Sequence, residues 1–185
     1  MSDAFYAALL TRFEAIESDL NRLDAATGDG DHGTTMVKGL RAIVDIPTNA
    51  DKPITPVKVF RRAAGGASGS LFAQLINAFD DILHQGQDVS AALQNAADRI
   101  TQLGQAVAGD KTLLDALLPA AQAKDIEAAV NAAQRGADTT TDMIAKRGRA
   151  KYVENGGMGH KDAGATSVVE MLSVLSEHYP LSETE

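Results

Sequence analysis

The chain contains no cysteine, so disulfides, zinc–thiolate sites and thiol nucleophiles are excluded and its stability must come from packing. That composition suits a reducing cytosol. No stretch approaches the roughly 20 apolar residues that span a bilayer. The start, Met1-Ser2-Asp3-Ala4-Phe5, has neither the basic residues nor the apolar run of a secretory signal. The expectation is a soluble, cytoplasmic protein with no membrane contact. Excess positive charge is also missing: 17 Lys and Arg stand against 25 Asp and Glu, a formal net charge of −8. This argues against nucleic acid or an anionic membrane as partner, since both need clustered cations. Any anionic ligand must therefore be held by local chemistry. Internal repeats and low-complexity tails are absent as well, and 185 residues with 44% hydrophobic content can bury one sizeable core. One domain over residues 1–185 is expected.

What is present is helical periodicity. Phe5, Leu9, Phe13, Ile16, Leu20 and Leu23 recur three or four apart behind a Ser2 cap, a strong amphipathic helix. The pattern predicts a second helix over about Thr35 to Val44 and a third from Thr55-Pro56, a cap followed by proline in the first turn. A fourth follows Gly69, with Leu71, Phe72, Leu75, Ile76, Phe79, Ile82 and Leu83 inward, and Gly86 ends it. The fifth spans about Ser90 to Leu103. Thr112 caps a sixth through Leu118, Asp125 caps a seventh to about Lys146, and an eighth follows Gly164 with Val168, Leu172 and Leu175 inward. No convincing period-two strand appears. The fold class is all-α with eight helices.

Glycine and acid concentrate between these helices, at Gly28 to Gly33, Gly65 to Gly69, Gly104 to Gly109 and Gly156 to Gly164. Loops at one end of a bundle can converge on one ligand, but periodicity does not say that these four share an end. The densest signal runs from Leu23 to Thr35, where Asp24, Asp29 and Asp31 lie beside Gly28, Gly30 and Gly33. Magnesium takes oxygen ligands in octahedral geometry, usually one or two carboxylates with phosphates and water, so three Asp on a short loop suit two such ions. A solvated acidic turn with ordinary caps is the competing reading. Alternating glycine costs backbone entropy on folding and favours close approach to a ligand.

Two familiar patterns fail here. Gly28, Gly30 and Gly33 match GxGxxG, but a helix precedes them, and their aspartates would repel a pyrophosphate unless metal intervened. Gly104 to Thr112 nearly spells a P-loop, yet Asp110 interrupts it before Lys111 and no strand leads in. An EF-hand fails too, because the twelfth position from Asp29 is Leu40. Gly65 to Ser70 opens directly into a helix, whose backbone N–H groups can hold phosphate oxygens. Lys146-Arg147-Gly148-Arg149 puts three cations at a helix end, where the dipole favours them in any case, or else sends an arginine to phosphate. His32 and His160 lie inside glycine loops, whereas His84 and His178 lie on helices of ordinary pattern.

Taken together, Asp24-x3-Gly-Asp-Gly-Asp-His-Gly, then Gly-Gly-Ala-Ser-Gly, Gly-Asp-Lys-Thr, Lys-Arg-Gly-Arg-Ala and Gly-His-Lys-Asp-Ala-Gly-Ala-Thr-Ser resemble, in order and spacing, the nucleotide-binding domain of dihydroxyacetone kinases. The resemblance covers nearly the whole chain. It implies an eight-helix antiparallel barrel-like bundle with ADP or ATP at one end, and Asp24, Asp29 and Asp31 binding two magnesium ions that clamp its phosphates. His32, Gly33, Thr34, Thr35, Ala67 and Ser68 match segments that contact phosphate and adenosine. Gly104, Leu113, Arg149, Asp162, Ala163 and Gly164 match further nucleotide contacts, Leu113 replacing a methionine usual in the family. A fused kinase carries a second, triose-binding domain for which 185 residues leave no room. The resemblance therefore implies the separate subunit of the phosphotransferase-system version, in which bound ADP is recharged by a phosphohistidine partner. It then passes the phosphoryl group to dihydroxyacetone on the other kinase subunit. A transcriptional regulator is a further candidate partner. The rival expectations are a related kinase domain acting on another substrate, such as a fatty acid, and an ADP-binding regulatory protein.

Overall fold

The apolar stripes read from the sequence need one another for burial, and the chain satisfies them by closing a ring of helices. The computed structural model describes residues 2–47 and 54–179, with side chains from residue 4 onward. Helix α1, Ser2–Ala25, buries Phe5, Leu9, Phe13 and Leu20 to 1% exposure or less. The side chain of Ser2, its expected cap, lies outside the described residues. Seven more helices follow: α2 His32–Val44, α3 Pro56–Ala64, α4 Gly66–Gln85, α5 Val89–Gly104, α6 Leu114–Ala121, α7 Ile126–Thr139 and α8 Ala163–His178. Among the described residues there is no strand. None of the helices is long and apolar enough to cross a membrane.

Each helix packs on the next, and α8 returns to α1, so the ring closes around a single core. Neighbours run antiparallel. Thr34 at the start of α2 bonds Asn21 and Glu17 near the end of α1, and Ser90 at the start of α5 bonds the Ala121 carbonyl at the end of α6. Arg12 in the first half of α1 pairs with Glu170 and Glu177 of α8. Close approach is made possible by small residues. A β-carbon on Gly33 would lie 2.2 Å from the Glu17 carbonyl oxygen, and one on Gly136 would lie 2.1 Å from that of Asp115.

Antiparallel order puts alternate connections at the same end. The α1–α2, α3–α4, α5–α6 and α7–α8 connections therefore face one way, which the helical period could not decide.

Several boundaries differ from expectation. Helix α2 starts three residues early, at His32, with Asp31 at its cap position. Helix α4 starts at Gly66, because Gly65 at φ +67° and ψ −178° holds a conformation reserved for glycine and turns the chain within one residue. Thr55 occupies the cap position of α3 but makes no side-chain cap bond. Asp88, Asp125 and Asp162 do cap, accepting from Ala91, Ala128 and Ala165 N–H. The largest difference is α7, which stops at Thr139 instead of about Lys146. The hydroxyls of Thr139 and Thr140 turn back onto the carbonyls of Gly136 and Ala137. Beyond them, the Ala145 and Lys146 N–H groups bond the distant carbonyls of Gly156 and Asp110. Tertiary partners thus take donors that a longer helix would have used, and three 3-10 turns carry the chain on to α8.

Candidate nucleotide and metal site

The α1–α2 connection is organised by its first acid. Oδ2 of Asp24 accepts from the N–H groups of Gly30 and Asp31, at 2.8 and 3.1 Å, which folds the loop back over the end of α1. A β-carbon on Gly28 would meet Asp24 Oδ1 at 2.6 Å, so a larger residue there would displace that carboxylate. Asp24, Asp29 and Asp31 each offer a carboxylate oxygen, all within 4.8 Å of one another. Asp31 holds the cap position of α2 without capping it, so its oxygens remain available to a ligand. This donor set fits magnesium, a hard cation that takes oxygen ligands. Asp29 pairs with Arg149, which reaches it from the α7–α8 connection.

These residues open onto a cavity of about 520 Å³. One wall is apolar, made by Leu71, Phe72, Ile100, Ala106 and Leu113. The polar part of its lining includes the three aspartates with Arg147 and Arg149. The cavity also reaches Ala67 and Ser68 in the first turn of α4, where no cap side chain engages the first N–H groups. Such free donors at a helix start attract anionic oxygens. Gly104 closes α5 on the cavity wall, and Asp162, Ala163 and Gly164 bring the start of α8 to it.

His32 also lines the cavity. Its ring is 7% exposed, lies 5.5 Å from that of Phe72, and its Nε2 is 2.8 Å from Ser167 Oγ. Burial, opposed by the charge of Asp24, lowers its pKa to about 4, so it is neutral at physiological pH. Asp162 moves the opposite way. Its removal from water raises its pKa to about 6, with Asp115 adding to the rise and Ala165 N–H and Lys111 opposing it.

Twelve of the fifteen expected site residues thus meet at one cavity. Gly33, Thr34 and Thr35 do not line it. Gly33 packs on α1, Thr34 bonds Glu17 and Asn21 on the outer surface, and the Thr35 N–H closes the first turn of α2 on Asp31. A turn of α2 points them away once the helix begins at His32. Conversely, Lys111, Thr112, Arg147, Lys151 and Tyr152 line the cavity without having been singled out as ligand contacts. For Lys111 the sequence signals were the broken P-loop pattern and its place in the Gly-Asp-Lys-Thr motif. Leu71 and Phe72 read as helix core, which they are, but they also lie one turn beyond the glycine loop.

The fold is an all-helical bundle whose end cavity brings a magnesium-suited carboxylate cluster together with apolar side chains. A family model for the DAK2 domain matches residues 26–177, and the chain belongs to that family. It is 32% identical to the L-erythrulose kinase of Pectobacterium atrosepticum over 86% of this chain and 31% of that one. It is also 32% identical to the PEP-dependent dihydroxyacetone kinase, ADP-binding subunit DhaL, of Escherichia coli, over 85% of this chain and 86% of that one. Among solved structures it resembles the dihydroxyacetone kinase from C. freundii in complex with AMP-PNP and Mg2+. The TM-score is 0.71 at 28% identity, covering 95% of this chain and 33% of that chain. The chain spans about a third of the length of the first curated kinases it matches.

Proposed function

We propose that this chain is the nucleotide-binding subunit of a dihydroxyacetone kinase, carrying ADP or ATP with two magnesium ions and delivering a phosphoryl group to a small ketose held by a partner subunit. The observation that carries the reading is the convergence of Asp24, Asp29 and Asp31 within 4.8 Å of one another on a cavity that is also lined by apolar side chains. Three carboxylates alone would repel a polyphosphate. Magnesium, when bound, supplies charge neutralisation of the phosphates, the main requirement of phosphoryl transfer.

The chain's own groups divide the remaining work. Leu71, Ile100 and Leu113 offer the base a dry wall, which suits a purine face. The free N–H groups at the start of α4 and the Arg149 guanidinium hold phosphate oxygens and fix their orientation. Because His32 is buried, neutral and engaged with Ser167, it orients the loop and does not take a proton from the acceptor. Among the described residues no histidine but His32 lines the cavity, and we assign proton transfer to the partner that holds the ketose.

The likeness to the E. coli subunit over most of both lengths supports a separate subunit whose ADP is recharged in place by a phosphohistidine protein of the phosphotransferase system. Calorimetry with ADP, with and without EDTA, tests the site itself. Binding is expected to need magnesium and to be mostly lost in Asp29→Ala or Asp31→Ala; undiminished binding in EDTA would refute the clamp. Product formed with a ketose-binding subunit and ATP alone, against the full phosphoenolpyruvate-driven chain, tests the donor. One turnover is expected with ATP alone, and rapid multiple turnover would make this an ordinary ATP-dependent subunit.

A further inference from the structure

The α5–α6 connection contains a buried ammonium that the nucleotide reading leaves without a task. Lys111 is 3% exposed and sits at φ +60°, a left-handed conformation unfavourable for a residue with a β-carbon. Among the described residues no carboxylate lies within 4.0 Å of its Nζ. Its Nζ donates instead to two main-chain carbonyls, Gly157 at 2.6 Å and Met143 at 3.1 Å. Burial lowers its pKa, against the opposing charges of Asp162 and Asp142.

Those two carbonyls are the feet of an arch, residues 143–157, whose crown carries Arg147, Arg149 and Tyr152 over the cavity. Asp110 grips the near flank of the same arch. Its carboxylate accepts from Arg147 Nε at 3.2 Å, and its carbonyl accepts from the Lys146 N–H at 3.1 Å. The far foot also touches the metal loop, since a β-carbon on Gly157 would lie 2.3 Å from Thr27 Cγ2. Hydrophobic burial does little to hold the arch down. Ile144, Tyr152 and Val153 are 52%, 81% and 38% exposed, leaving Ala145 as its buried apolar side chain. Its placement therefore depends on polar ties, and opening it would be a local event that spares the core.

We propose that Lys111 is a positioning residue of the site: by bonding both feet of the arch it holds Arg149 over Asp29, so that a phosphate bound at the carboxylate cluster meets the guanidinium without a prior ordering step. The functional half of this proposal rests on the nucleotide reading above. The structural half does not.

Lys111→Gly removes the ammonium and retains, without strain, the left-handed backbone. Lys111→Asn is a second variant that tolerates the same conformation. Limited trypsin digestion of the full chain reads the arch directly, because Lys146, Arg147, Arg149 and Lys151 are all in it. Cleavage at these four sites, mapped by mass spectrometry, should accelerate about tenfold or more in both variants, as expected for losing two charge-assisted hydrogen bonds. Magnesium–ADP affinity should fall about tenfold. Gly39→Ala serves as a control for general destabilisation. It crowds α2 against the Phe60 ring, with a β-carbon 2.5 Å from Phe60 Cε2, far from the arch. Well below its melting temperature it should change neither readout.

Unchanged cleavage in both Lys111 variants would overturn the proposal. So would accelerated cleavage with undiminished magnesium–ADP affinity, or an equal loss of affinity in Gly39→Ala. If the wild-type protein bound no magnesium–ADP, the nucleotide reading and the functional half would fall, while the cleavage ratio would still decide whether Lys111 holds the arch.

Discussion

Gly136 lies inside α7, where alanine would ordinarily be favoured by about 1 kcal/mol. The structure reverses that preference. A β-carbon there would lie 2.1 Å from the Asp115 carbonyl oxygen, 3.0 Å from the Asp115 carbonyl carbon and 3.1 Å from Ala116 Cα. Backbone cannot rotate aside as a flexible side chain can, so α6 and α7 would have to separate by roughly 1 Å to restore van der Waals distance. Overpacking costs about 1–3 kcal/mol, and a clash with backbone falls in the upper part of that range, about 2–3 kcal/mol. After the gain of about 1 kcal/mol in helix propensity, Gly136→Ala should therefore lose about 1–2 kcal/mol. The displacement would also reach the cavity. Asp115 holds the Gly109 and Thr112 N–H groups at 2.5 and 2.7 Å and so shapes the loop that carries Asp110 and Lys111. Urea denaturation should show a lower midpoint at unchanged slope, and a thermal scan a fall of about 2–8 °C for a domain of this size. Gly104→Ala is the contrasting case, because its β-carbon would meet nothing nearer than 3.8 Å. It should leave stability unchanged or slightly raised. A Gly136→Ala protein as stable as the wild type would mean that α6 and α7 do not approach as described.

Further outcomes follow from the site. Magnesium–ADP at a hundred times its dissociation constant should stabilise the fold by about 2.7 kcal/mol and raise the melting temperature, whereas ADP in EDTA should not; no shift at saturation would count against the site. Arg149→Gln should weaken magnesium–ADP binding yet change ligand-free stability by less than about 0.5 kcal/mol, since the pair with Asp29 is largely exposed and such pairs contribute little. Stability should also depend on the Asp162 proton. Its folded pKa of about 6 exceeds the ordinary aspartate value of 3.8, so the folded state binds the proton more tightly, and this stabilisation is complete below pH 3.8 and lost as pH rises through 6. Between pH 4 and 7 the wild type should therefore lose about 2 kcal/mol relative to Asp162→Asn, which keeps a capping side chain. Parallel pH profiles of the two proteins would refute the assignment.

Local chemistry made much of this protein legible in its sequence. The eight helices follow from a three-to-four-residue apolar repeat, and Leu9, Leu40, Leu75 and Leu172 are buried as that repeat requires. The carboxylate cluster was equally readable, because Asp24, Asp29 and Asp31 lie within one short loop that Asp24 itself folds. Other features depended on residues far apart in the chain. Only ring closure put four glycine-rich connections at one end, and only the start of α2 at His32 turned Gly33, Thr34 and Thr35 away from the cavity. Helix α7 had the composition to continue to Lys146, but the carbonyls of Asp110 and Gly156 took its donors. Lys111 belongs to the same class. Its place in a failed P-loop and in the Gly-Asp-Lys-Thr motif marked the residue but not its surroundings, because the two carbonyls it bonds come from residues 32 and 46 positions further on. Periodicity and caps act within a few residues and can be read from them, whereas hydrogen bonds between distant loops exist only once the barrel has brought those loops together.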